Sequence, residues 1–127
     1  MLDFTKMIIL DGAMGTMLQK AGVTKNQLPE EVNITNPEIV IDIHRQYIEA
    51  GCQIISTNTF GANAYKVGSS PYTVEQLITA AVQNAKKAAA GTDTKIALDI
   101  GPIGKMLRPN GDLAFEEAYQ IYKQMIE

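Results

Sequence analysis

Three short stretches carry the side chains with usable chemistry: Asp11-Gly12-Ala13-Met14-Gly15-Thr16, Thr57-Asn58-Thr59-Phe60-Gly61 and Asp99-Ile100-Gly101-Pro102-Ile103-Gly104. The Asp11 carboxylate can hold an ammonium group. The backbone N–H groups of Gly12, Ala13 and Met14, little obstructed by side chains, can receive a carboxylate. An amino acid zwitterion presents both groups, although spacing alone does not separate this reading from a plain turn after a strand. Thr57 and Asn58, with Thr59, offer hydroxyl and amide groups to a polar ligand. The same residue types also satisfy loop backbone or cap helices, and that structural role is the favoured one. Asp99 likewise reads first as a strand-end residue bonding nearby backbone donors.

Other chemistries are excluded by spacing. Gly101-Pro102-Ile103-Gly104-Lys105 is too short for a phosphate loop, and Met106 stands where magnesium needs Ser or Thr. Gly12 and Gly15 lack the dinucleotide-binding spacing. His44 has no His, Cys or Asp at metal spacing and reads as a surface or half-buried helix residue. Cys52, the single cysteine, excludes an internal disulfide, falls short of the three or four ligands of a zinc site, and reads as a small apolar side chain. No metal site is expected.

The polar stretches follow short β-prone runs. Residues 7–10 (Met-Ile-Ile-Leu) form an apolar run read as a strand buried on both faces. Residues 52–56 and 95–100 supply a second and a third strand. Gly15 to Gln19 can make a helical turn, and 21–36 reads as a connecting loop. Thr35-Asn36-Pro37 starts a helix, with a capping oxygen and Pro37 at its first position. Ile39, Ile43 and Tyr47, flanked by Val40 and Ile48, form its stripe, and Gly51 ends it. Thr73 and Gln76 make a capping box ahead of an alanine-rich helix closed by Gly91. Phe115, Ala118, Tyr119, Tyr122, Met125 and Ile126 line the packing face of a last helix, and Val67–Tyr72 and Gly101–Gly111 are loops. Strand and helix alternate as in right-handed βαβ crossovers, which predicts an α/β fold with a parallel sheet. Ligands in such folds gather at the carboxyl ends of the strands, so the three polar stretches belong on one rim.

The 127 residues, 46% hydrophobic and 20% charged, predict a globular domain, but a closed (β/α)8 barrel needs roughly 200 to 250 residues. The chain has material for about half of one, and it stops at Glu127 without a helix stop signal. Eleven basic against 14 acidic side chains, with no Lys/Arg block, argue against nucleic acid. No apolar run approaches a membrane span or a signal-peptide core, and a cytoplasmic setting is expected.

The segments Ile9 to Leu18, Thr57 to Asn63, Asp99 to Lys105 and Gly111 to Tyr119 occur in an order that resembles the homocysteine S-methyltransferase family. They look most like the N-terminal homocysteine-binding domain of its cobalamin-dependent methionine synthase members. The resemblance implies a TIM barrel, of which residues 1–127 would be the N-terminal portion, about three βα units of a partial homocysteine-binding domain. It implies transfer of a methyl group, from methylcobalamin or another donor, to the zinc-bound thiolate of homocysteine, giving methionine. By position, Asp11 would take the amino group of homocysteine, the backbone at Gly12, Ala13 and Met14 its carboxylate, and Thr57 and Asn58 would line the pocket. The family's zinc-binding Gly-x-Asn-Cys and Gly-Gly-Cys-Cys segments do not occur here, so the chain alone is expected to hold no zinc and to be inactive. Ala114 stands where a capping Ser is commoner, a loss of about 1 kcal/mol. An open three-strand sheet predicts self-association or a missing C-terminal half of the barrel. The alternative is a non-catalytic α/β module binding a small molecule or a partner, such as a flavodoxin-like domain.

Overall fold

The computed structural model describes residues 2, 3, 5–24 and 26–127. Its elements are α1 (Met14–Lys20), a 3-10 turn at Pro29–Glu31, α2 (Val32–Thr35), α3 (Pro37–Glu49), β1 (Ile54–Ser56), α4 (Ala64–Val67), α5 (Val74–Ala89), β2 (Lys95–Ala97) and α6 (Phe115–Ile126). β1 and β2 run parallel, with Ile54 opposite Lys95 and Ser56 opposite Ala97. The segment before α1 lies along the other edge of β1. The Gln53 N–H donates to the Ile9 carbonyl at 2.7 Å and the Asp11 N–H to the Ile54 carbonyl at 3.0 Å.

Alternation along β1 sends Ile55 to one face and Ile54 and Ser56 to the other. Ile55 is fully buried with Cys52 and Ala85, flanked by Tyr47 and Ile48 of α3 and by Ala89 of α5. Burial of such a side chain contributes about 1.5–3 kcal/mol relative to leaving it exposed. A second cluster joins Leu18 of α1, Val32 of α2 and Val40 and Ile43 of α3. A third joins Val67, Val74 and Leu77 to Met125 of α6.

Helix boundaries follow local chemistry. α3 begins with Pro37 and ends before Gly51, whose φ of +99° is the left-handed conformation that glycine adopts without a Cβ penalty. At α5 the capping box is formed in both directions: Thr73 Oγ1 accepts from the Gln76 N–H at 3.2 Å, and Gln76 Oε1 accepts from the Thr73 N–H at 2.9 Å.

Several expectations are corrected. The run 7–10 is not buried on both faces: Met7 is 85% exposed, Ile9 53% and Leu10 56%, and its only bridge pairs Leu10 with Ile54. Among the described residues no element covers its outer side, and an apolar run reports a preference for burial, not the partner that supplies it. The segment 21–36 is not simply a loop, because it contains the 3-10 turn and α2. Four-residue α2 is too short to show a period and is held by tertiary bonds through Asn33. His44 is neither surface nor half-buried but fully buried. The inward face of α3 holds Ile39, Val40, Ile43 and Tyr47 as expected and also takes in Ile41 and His44. Neither Thr35 nor Asn36 caps α3 through its side chain. The second and third strands are shorter than 52–56 and 95–100. α6 buries Ala118, Ile121 and Met125, leaving Phe115, Tyr119 and Ile126 exposed.

Candidate functional site

A cleft of about 420 Å³ opens at the carboxyl ends of the strands, bordered by the start of α1, the 3-10 turn and the segments that follow β1 and β2. Asp11, Gly12, Ala13, Met14, Thr57 and Asn58 all line it. Asp99, Phe60, Ser56 and Glu30 complete its polar and aromatic wall.

Asp11 is anchored across the sheet: its Oδ2 accepts from the Ser56 N–H at 2.7 Å and its Oδ1 from the Ser56 hydroxyl at 3.0 Å. A carboxylate has about four lone-pair directions, so each oxygen keeps capacity for a ligand donor. The N–H groups of Gly12 and Ala13 find no acceptor among the described residues. A Cβ on Gly12 would lie 2.9 Å from the Tyr47 hydroxyl, so a larger residue there would displace the tip of Tyr47, which donates to the Ala13 carbonyl at 3.1 Å.

The segment after β1 is tied by a buried polar network. The Thr57 and Thr59 hydroxyls bond each other at 2.7 Å, the Thr59 hydroxyl donates to the Asp99 carbonyl at 2.7 Å, and the Asp99 N–H donates to Thr57 Oγ1 at 3.2 Å. Thr57 therefore spends its hydroxyl on Thr59 of its own segment and on Asp99 of the segment after β2. Asn58 Nδ2 donates to the Pro29 carbonyl at 2.8 Å and to Asn33 Oδ1 at 3.3 Å. Its Oδ1 meets no donor among the described residues, so Asn58 presents an acceptor. Asn33 Nδ2 returns a bond to the Asn58 carbonyl at 2.8 Å, and Asn84 Nδ2 holds the Asn33 carbonyl at 2.9 Å. Gly101 has no room for a side chain either: its Cβ would stand 2.2 Å from the Phe60 carbonyl.

The charged side chains that line the cleft, Asp11, Glu30 and Asp99, are all acidic. Burial raises the Asp99 carboxyl above its ordinary range, with the Asp11 charge adding to the effect. Burial raises Glu30 likewise. Such a wall favours a ligand with a cationic group.

Glu30 and Ser56 are cleft residues that sequence reasoning missed, as is Asn33, which holds Asn58 from behind the cleft wall. Glu30 lies in Leu-Pro-Glu-Glu-Val, where nothing distinguishes it from a solvated acid. Ser56 stands one residue before the polar cluster, and only strand alternation places it on the Asp11 side.

The zinc implied by the resemblance finds no fit among the described residues. No three His, Cys, Asp or Glu side chains gather at metal-binding distance. Cys52 lies at the opposite end of β1 beside Gln53, Thr94 and Lys95, and burial raises its thiol pKa, with the Asp11 charge adding to the effect. No helix among the described residues is long and apolar enough to cross a membrane.

Comparison with known proteins agrees with this architecture. The chain superposes on the metallated form of the homocysteine methyltransferase MmuM from Escherichia coli with a TM-score of 0.78 and 25% identity, over 94% of this chain and 48% of that one. The apo form of the same enzyme gives 0.63 and 28% over 93% and 42%. Methionine synthase from Mycobacterium leprae (strain TN) is 41% identical over 69 residues, half of this chain and 6% of that protein, and the enzyme from Mycobacterium tuberculosis (strain ATCC 25618 / H37Rv) matches equally. The chain thus spans about half of the solved enzyme and a small part of the methionine synthases. The family model for homocysteine S-methyltransferase matches residues 8–127, and with parallel strands that superpose on a member of that family, the chain belongs to the homocysteine S-methyltransferase family.

Proposed function

We propose that residues 1–127 are the substrate-binding front of a homocysteine-binding domain, from a methyltransferase of the methionine synthase type that forms methionine. The observation that carries this reading is the convergence of Asp11, the Gly12–Met14 backbone and Asn58 on one cleft, in a chain of this family.

The chain's own groups match an amino acid zwitterion. The ammonium sits against the Asp11 carboxylate and Asn58 Oδ1, both acceptors. The carboxylate takes the backbone N–H groups of Gly12, Ala13 and Met14. Thr57 holds the wall in place through Thr59 and Asp99 instead of touching the ligand. The anchored zwitterion leaves the thiol-bearing end of homocysteine to point along the cleft, and fixed orientation of a reacting group is itself a large contribution to rate. The family's zinc-bound thiolate and its methyl donor, methylcobalamin or another, require ligands and surfaces that the described residues do not supply. We assign that step to residues outside this chain, which alone turns over no substrate.

Calorimetry on the 127-residue chain tests the reading. Homocysteine should give saturable heat, and Asp11→Asn should weaken binding by roughly thirtyfold, about 2 kcal/mol for a charged hydrogen bond. The asparagine keeps an oxygen for the Ser56 N–H, so the fold should survive. Absence of heat, or equal affinity in the variant, overturns the assignment of Asp11. Methionine formation by the chain alone overturns the division of labour.

A further inference from the structure

Of the three acids in the cleft wall, Asp99 is the one whose carboxylate holds nothing in place. Asp11 receives the Ser56 N–H and hydroxyl, and Glu30 Oε1 receives the Gly61 N–H. Asp99 is pinned only through its main chain: its N–H donates to Thr57 Oγ1 at 3.2 Å and its carbonyl accepts from the Thr59 hydroxyl at 2.7 Å. Any residue except proline could make those two bonds, so they do not account for a carboxylate at this position. The carboxylate itself takes no hydrogen bond from the described residues, and it lines the same cleft as Asp11 and Asn58. Nearby in that wall Glu30 is only 3% exposed, and its buried Oε2 has no partner among the described residues. The wall thus holds acceptors in excess of donors, and two half-buried carboxylates in one cleft repel each other unless a cation shares the space.

An ammonium group carries three N–H donors. The Asp11 carboxylate and Asn58 Oδ1 engage two of them. We propose that the Asp99 carboxylate accepts the third, so that Asp11 and Asp99 form a two-carboxylate clamp that makes the cleft selective for ligands bearing a primary ammonium. A ligand without that group leaves both carboxylates facing each other unpaired, and if it is an anion it adds a third negative charge. This inference rests on the homocysteine reading for the identity of the ligand and adds a specificity-determining residue to it.

Calorimetry on the wild-type and Asp99→Asn chains with three thiols tests the clamp. Homocysteine carries both charged groups, γ-mercaptobutyrate lacks the amino group, and homocysteamine lacks the carboxylate. Asp99→Asn removes no hydrogen bond of the fold, so its unfolding midpoint should match the wild type. Homocysteine and homocysteamine should each bind the variant more weakly by roughly tenfold or more, as for a charged hydrogen bond. γ-Mercaptobutyrate should bind the variant as well as the wild type or more tightly. Unchanged homocysteine affinity in Asp99→Asn overturns the proposal, and so does an equal loss for all three thiols, which would mark a general disturbance of the cleft. Asp99-dependent binding of homocysteamine by a chain that takes no homocysteine upholds the clamp and overturns the homocysteine reading. A wild-type chain that binds neither ammonium ligand overturns both.

Discussion

His44 and Glu30 are both buried and ionisable, and they respond to pH in opposite senses. Burial pushes the His44 pKa below its ordinary value of 6.5, and the Asp11 charge offsets this in part. Both ring nitrogens are without a partner among the described residues. The unfolded chain binds a proton there more readily than the folded one, so the stability that neutral His44 confers is complete above pH 6.5 and is lost as pH falls toward its folded value. Glu30 does the reverse: its contribution is present below its ordinary value and is lost as pH rises through the folded one. Denaturant titrations of His44→Leu should show a shallower loss of stability below pH 6.5 than the wild type, and parallel curves would exclude His44 as the acid-sensitive group. Among the cleft residues, Asp11 and Asn58 were visible as polar side chains at strand ends. The direction in which Asn58 points its amide was not, because Asn33 and Pro29 decide it from 25 and 29 residues away.

Among the helices, the ones with strong local signals lie where their signals put them. The α5 capping box and the α3 proline and glycine act through neighbours three or four residues away, so their effect survives any tertiary context. α6 lacks such a start. Ala114 occupies its N-cap position and makes no side-chain bond, while Glu116 and Glu117 in the first turn favour the helix dipole. Ala114→Ser should therefore raise the unfolding free energy by about 1 kcal/mol, read as a higher denaturant midpoint at unchanged slope. No change would mean that the start of α6 is held by the packing of Leu113 and Ala118. α2 is the opposite case. Its four residues have no periodicity to read, yet Val32 and Asn33 are buried, one in the α1–α3 cluster and the other in the cleft network.

At the scale of the molecule, the sheet is the unfinished part. The outer edge of β2 pairs with no strand among the described residues, and Met7, Ile9, Leu10 and Ile100 are exposed beside the sheet, with Phe115, Tyr119 and Ile126 exposed on α6. Open edges and apolar patches of this kind favour association. Light scattering on the 127-residue chain should give a mass above 13.8 kDa that rises with concentration, and a concentration-independent monomer would contradict this. By itself the sequence determined the α/β alternation, the helix ends set by Pro37, Gly51, Thr73 and Gly91, and the polar strand ends that resemble the family, because each is written in residues adjacent in the chain. Only the tertiary structure decided that Glu30 is buried against Gly61, that His44 faces inward and that residues 7–10 remain exposed. Those outcomes depend on which distant segment arrives to cover a side chain, and no local pattern encodes the partner.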